Sequence, residues 1–213
     1  MSESPIKHTL TTMLVMVAFT IIGTAILAYT YDTTKAPIEV SEAAAKMKLF
    51  DQVLPSNEHD NDLINESLDI PAGGELGNRE GTKAHIAKLA GKPSAVILEA
   101  TAPDGYSGEI KLLIAVRENG GIAGVRVIAH KETPGLGDYI DIAHGDWIKS
   151  FDNLSLSIRP LADWKVKKDG GQFDYMAGAT ITPRAVVKAV QKVLVYVDQN
   201  RQTLFATQAT GEQ

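Results

Sequence analysis

The run Asp174-Tyr175-Met176-Ala177-Gly178-Ala179-Thr180-Ile181-Thr182-Pro183 places a hydroxyl just ahead of an apparent helix start, a place to hold a phosphate. Thr182 followed by Pro183 reads as N-cap and first helical residue. Val186, Val190, Val193, Leu194 and Val197 then recur at helical spacing, which predicts a long final helix beginning near Thr182. Its unpaired N–H groups and positive dipole end would stabilise an anion on or near Thr180. Gly178 and Ala179 leave room beside the backbone for a bulky group.

Two other stretches have compositions that suit a ligand. Glu132-Thr133-Pro134-Gly135-Leu136-Gly137 sets a rigid proline and two glycines around Leu136, a tight loop whose N–H groups can face a bound molecule. Gly105-Tyr106-Ser107-Gly108 reads as a bend between strands. Taken alone, each is an ordinary turn; in company with Thr180, the 132–137 loop becomes a candidate ligand loop with Leu136 as an apolar contact.

Several chemistries are excluded or unsupported. The chain has no cysteine, so it has no disulfide, no thiolate-held zinc and no iron–sulfur cluster on its own ligands. No G-x-S-x-G elbow or phosphate-binding G-x-x-x-x-G-K-[ST] loop is present. His130 and His144 flank the Pro-Gly loop with Asp138, Asp141 and Asp146 nearby, but they lack a fixed metal-ligand spacing, and no metal site is expected. A net charge of −5 without a Lys/Arg-rich run argues against nucleic acid.

The elements that must position these residues follow from pattern. Residues 13–31 carry no charge, and with 10–12 the uncharged stretch is long enough to span a bilayer; it is also too long for a cleaved signal peptide. Thr12, Thr20, Thr24 and Ala28 share one helical face, suited either to helix packing in lipid or to hydroxyls bonded to their own backbone. Lys7 lies on one side of this stretch and Lys35, Lys46 and Lys48 on the other, so charge leaves orientation open. Residues 41–54 read as an amphipathic helix ended by Pro55, and 56–82 as a long polar loop with at most a short helix. Strands are expected at 84–89, 95–100, 110–117 and 125–130, the last two joined by a tight Asn119-Gly120-Gly121 turn. A short helical piece at 147–151 and a strand at 164–167 precede the final helix. The expectation is an α+β chain divided as an N-terminal tail (1–9), a transmembrane helix (10–31), a connecting helix and loop (32–82), one domain with an antiparallel sheet and flanking helices (83–205) and a flexible tail (206–213).

The motif around Thr180 resembles the flavinylation signature Asp-x-x-[Ser/Thr]-Gly-Ala-[Thr/Ser], whose last hydroxyl carries FMN through a phosphoester. Here Asp174, Gly178, Ala179 and Thr180 match, while Ala177 stands where the signature has Ser or Thr. Together with the 130–137 and 104–108 stretches, the chain resembles the FMN-binding domain family and, within it, the G subunits of the Rnf electron-transport complex. The C subunits of the sodium-pumping NADH:quinone reductase share the motif and are the nearest alternative. The resemblance implies covalent FMN on Thr180, attached by a magnesium-dependent flavin transferase that takes FMN from FAD and releases AMP. Glu132 to Gly137, Gly105 and Tyr106 would form the cofactor pocket, with Leu136 against the ring and Thr182 at the helix start. It implies a non-autonomous redox subunit working with the other membrane and peripheral Rnf subunits, in a complex coupling ferredoxin and NAD to ion translocation. It also implies a single-pass protein of the bacterial inner membrane with a cytoplasmic N-terminus and a periplasmic domain. A scaffold domain without covalent flavin is the reading from another class.

Overall fold

Alternation along residues 95–102 decides the architecture. Ala95 and Ile97 point to one face of a strand while Val96, Leu98, Ala100 and Ala102 point to the other, and all six are buried, so both faces of the sheet must be covered. The computed structural model describes residues 5–206. Within it, β1 (Ser67–Ile70), β2 (Thr82–Leu89), β3 (Lys92–Gly105), β4 (Gly108–Arg117) and β5 (Ile122–Ala129) form an antiparallel meander in the order β1-β2-β3-β4-β5. The expected antiparallel sheet is present. Leu98 pairs with Ile114, Ala100 with Leu112 and Ala102 with Ile110, which sets matching apolar residues across one face. In the β4–β5 turn Gly120 takes φ 82°, and the Asn119 side-chain oxygen accepts the Gly121 N–H at 2.9 Å.

Two elements differ from the pattern reading. β1 lies within the stretch expected to be loop: Ser-Leu-Asp-Ile is too short to show alternation, and pairing with β2 creates the strand. The strand expected at 164–167 is instead a single bridge between Val166 and Phe173, flanked by the 3-10 turns Leu161–Asp163 and Lys167–Asp169. Trp164, Val166 and Phe173 are buried because their side chains fill the core, not because their backbone joins the sheet.

α1 spans Pro5–Val53, where pattern reads a transmembrane helix at 10–31 and a separate amphipathic helix at 41–54, and Pro37 lies inside it. Proline removes one backbone donor, and the good helix formers Ala43, Ala44 and Ala45 beyond it sustain the next turns. Residues 5–9, expected as tail, are helical; residues 1–4 and 207–213 of the two expected tails lie outside the described residues. The chain divides after Lys46 into two compact units. In the first, Thr9–Lys35 is long and apolar enough to cross a membrane. The Thr20, Thr30 and Thr33 hydroxyls donate to the carbonyls of Met16, Ile26 and Tyr29, so for Thr20 the bond to its own helix holds.

In the second unit, the last turns of α1 and α2 (Ile181–Gln199) cover opposite faces of the sheet. Phe50, Val53 and Leu54 pack with Leu63, Ala95, Ile97 and Leu113. Val186, Val190, Val193 and Val197 pack with Val96, Leu98, Leu112 and Ile114. A short helix, α3 (Arg201–Leu204), follows. The 3-10 turn Trp147–Phe151 sits where a helical piece was expected, and places Phe151 in the α2-side core.

Candidate functional site

Glu132 is a buried carboxylate, and three chain segments meet on it. Its Oε1 accepts the Ser107 N–H at 3.1 Å from the β3–β4 hairpin, where Gly105 pairs with Gly108 around Tyr106 and Ser107. Its Oε2 accepts the Thr182 hydroxyl at 2.6 Å from α2, a short charge-assisted bond. Its own N–H donates to His130 Nδ1 at 3.1 Å. The flanking glycines are required by this crowding: a Cβ at Gly105 would lie 2.9 Å from Oε1, and one at Gly137 would lie 2.8 Å from Oε2.

The helix starts earlier than the sequence suggests. Thr180 is the N-cap and Ile181 the first helical residue; Thr182, expected as the cap, lies inside the first turn and is buried. The cause is the Glu132 carboxylate, a charged acceptor that takes the Thr182 hydroxyl from the role of cap. Pro183 fits as the third helical residue because a first-turn residue has no carbonyl partner to lose. Thr180 has φ −72° and ψ −28°, and its side chain makes no capping bond. Half-buried Thr180 therefore stands at the helix entrance, and the first-turn N–H groups of Ile181 and Thr182 that follow it have no intrahelical acceptor.

A solvent-open cleft, lined by Ala179 and Ile181 on either side of Thr180 but not by Thr180 itself, unites the three segments singled out in the sequence. Tyr106 comes from the hairpin; Glu132, Thr133, Leu136 and Gly137 come from the loop; Gly178, Ala179, Ile181 and Thr182 come from the helix entrance. Leu136 and Tyr106 are 41% and 67% exposed, so they form an apolar ledge that none of the described residues covers. The cleft's cavity volume of ≈ 50 Å³ is far below that of a pocket that encloses a ligand, so a bound ring would lie mostly outside it. Gly105, Pro134 and Gly135 shape the backbone without lining the cleft, and Gly135 takes φ 73°.

The 174–178 segment is exposed and is tied down by residues that the sequence pattern does not connect with it. Trp147 Nε1 donates to the Asp174 carbonyl at 2.8 Å, the Met176 N–H donates to the Tyr139 hydroxyl at 3.2 Å, and the Asp174 carboxylate pairs with Lys167. Burial pushes the Tyr139 phenol above its ordinary pKa. Gly178 takes φ 89°, a backbone that favours glycine, and its nearest neighbour is Leu136 Cδ1, 3.9 Å from where a Cβ would stand. Arg184 forks onto Asp169 at 2.6 and 2.8 Å, and this bond holds the Asp169 carboxyl below its usual pKa. The only hint of Tyr139 and Trp147 in the sequence is chemical: large rings with polar tips need partners.

The histidines diverge. His130 faces Asp141 at 3.8 Å and His144 faces Asp138 at 3.8 Å, and among the described residues no group of three or more His, Asp or Glu is placed to share a metal ion.

The arrangement is that of an α+β domain with an open cleft beside a helix entrance. The FMN-binding domain family matches residues 105–195, a span that contains all three site segments, and the RnfG N-terminal region family matches residues 1–53. The G subunit of the ion-translocating oxidoreductase complex of Vibrio atlanticus is 46% identical over 193 residues, 91% of this chain and 92% of that one. The corresponding G subunit of Pseudomonas aeruginosa is 46% identical over 188 residues, 88% of each chain, and that of Pseudoalteromonas atlantica is 40% identical over 193 residues, 91% and 90%. A solved structure, NqrC of Shewanella oneidensis, aligns with a TM-score of 0.46 at 20% identity, over 68% of this chain and 74% of that one. The chain belongs to the family of G subunits of ion-translocating oxidoreductase complexes.

Proposed function

We propose that this chain is a membrane-anchored electron-transfer subunit that carries FMN through a phosphoester to the Thr180 hydroxyl. It works in an ion-translocating ferredoxin:NAD oxidoreductase complex with its domain on the periplasmic side. The observation that carries this reading is the meeting of hairpin, Pro-Gly loop and helix entrance on one cleft beside a threonine whose hydroxyl caps nothing.

The residues present fit the group. Leu136 and Tyr106 offer apolar surface to a ring, Gly137 and Gly178 keep side chains out of the way, and the first-turn N–H groups of Ile181 and Thr182 would be available to a phosphate at the helix start. When bound, FMN supplies redox chemistry that no side chain of this cysteine-free chain offers. Glu132 holds hairpin, loop and helix at fixed separation, so the pocket walls are set before any ligand arrives.

Among the described residues, the carboxylates of the loop and of the Thr180 motif are already engaged. Glu132 is occupied by Ser107 and Thr182, and Asp174 by Lys167. An unactivated hydroxyl is a poor nucleophile, so a separate flavin transferase is the source of activation. Covalent attachment suits an extracytoplasmic carrier, because a dissociated cofactor would be lost, and the apolar Thr9–Lys35 segment supplies the anchor.

The test is the intact mass of the denatured full-length protein made beside an active flavin transferase, for wild type and Thr180→Val. A gain of one FMN less water in wild type alone is expected. A gain in both moves the attachment to another hydroxyl, and a gain in neither leaves the scaffold reading, with Ala177 as the departure responsible.

A further inference from the structure

We infer that Tyr139 and Trp147 are positioning residues for flavin attachment: they clamp the 174–178 segment so that Thr180 is presented in one fixed pose. This inference rests on the Thr180 reading. The segment is exposed throughout, and its own turn supplies one backbone bond, from the Ala179 N–H to the Met176 carbonyl at 3.0 Å. The ties beyond it are the Trp147 indole on the Asp174 carbonyl at 2.8 Å, the Tyr139 hydroxyl under the Met176 N–H at 3.2 Å, and the Asp174–Lys167 ion pair.

These bonds are of little use for burial. An exposed carbonyl and an exposed N–H are satisfied equally well by water, so the gain from bonding them to side chains is order in the segment. The clamp is stiff because it stands on the core. The Tyr139 ring meets Trp147 edge-on at 5.7 Å, Trp147 meets Phe151 edge-on at 5.4 Å, and Phe151 lies fully buried against Phe173 at 4.7 Å. Both residues also follow shortly after Leu136 and Gly137, so one stretch of chain shapes the cleft and holds the segment bearing the acceptor.

Attachment forms the bond from Thr180 Oγ1 to the FMN phosphorus and breaks the pyrophosphate bond of FAD. AMP leaves, and the hydroxyl proton passes to the transferase. In-line displacement depends steeply on the placement of the attacking oxygen, so a loosened segment should slow the step without weakening recognition.

The experiment uses the full-length chain as acceptor, with purified transferase and FAD, in wild type, Tyr139→Phe, Trp147→Phe and the double variant. The phenylalanines keep a ring and remove the bonding group. Each single variant is expected to slow transfer at saturating acceptor about threefold, and the double about tenfold, with the half-saturating acceptor concentration unchanged. Amide exchange at Met176 in the unmodified protein should speed up in Tyr139→Phe while exchange in β3 and β4 stays as in wild type. Transfer by the double variant at the wild-type rate overturns the inference. So does a loss confined to half-saturation, or one matched by faster exchange throughout the sheet, which would mean general destabilisation. A wild-type chain that takes up no FMN fails differently: it removes the Thr180 reading and this inference with it.

Discussion

The two helices that close the sheet do so in contrasting ways. On one face the end of α1 is sealed: Phe50 and Val53 are each 1% exposed, the Leu54 N–H bonds the Phe50 carbonyl, and Pro55 follows. β5 comes so near that a Cβ on Gly124 would lie 2.7 Å from the Val53 carbonyl oxygen. On the other face α2 is equally apolar through Val186, Val190 and Val193, yet its start is left open at half-buried Thr180 and exposed Ile181, with Leu136 and Tyr106 also exposed. Apolar periodicity is enough to seal a face. An open helix entrance needs a buried carboxylate and close-fitting glycines to keep it from collapsing.

That contrast can be broken or sharpened by substitution. The largest effect is expected at the sealed face, where Phe50→Ala removes a ring packed at 4.8 Å on His85 and should cost about 3–5 kcal/mol in denaturant unfolding. The folded fraction should still accept FMN normally; loss of loading there would mean that the two faces are coupled. Glu132→Ala strips the acceptor from Thr182 and Ser107 and is expected to cost about 1.5–3 kcal/mol while abolishing ordered flavin binding, read as a rise in flavin mobility by fluorescence anisotropy.

Gly137→Ala drives a Cβ toward Glu132 Oε2 and Thr182 Oγ1, at 2.8 and 3.1 Å, and should cost about 1–3 kcal/mol by overpacking. Thr182→Val is expected to cost about 1 kcal/mol with helix content by circular dichroism unchanged, because Thr180 and not Thr182 begins the helix. Fraying of the first turn would restore Thr182 as the cap.

The smallest effect belongs to the exposed Arg184–Asp169 pair. Arg184 lowers the folded pKa of Asp169, so the pair's contribution is present above the unfolded pKa and disappears as pH falls through the folded value. Arg184→Ala should therefore trim stability slightly at neutral pH and not at all in strong acid, and added salt should erase the difference.

Much of this is legible from residue order. The alternation of 95–100 and 110–117, the Asn-Gly turn and the valine spacing of α2 identify their elements because each reports on a period of its own backbone. β1 and the strand expected at 164–167 mislead for opposite reasons: four residues carry too little period, and a run of buried large side chains resembles a strand wherever it lies. Among the site residues, the glycines, Leu136 and Thr180 are marked by local chemistry. The strut role of Glu132 and the ties made by Tyr139 and Trp147 have no local mark, since their partners lie 25 to 50 residues away for Glu132 and 27 and 37 residues away for Trp147 and Tyr139.

The sequence by itself determined that an apolar segment precedes an α+β domain, that no cysteine chemistry is available, and that three short motifs carry the candidate site, because composition and periodicity are properties of neighbours along the chain. Only the tertiary structure decided that those motifs share one cleft, and that the helix begins at Thr180 and not at Thr182. A buried carboxylate brought in from the loop after β5 competes for the Thr182 hydroxyl, and that contest exists only once the chain has folded.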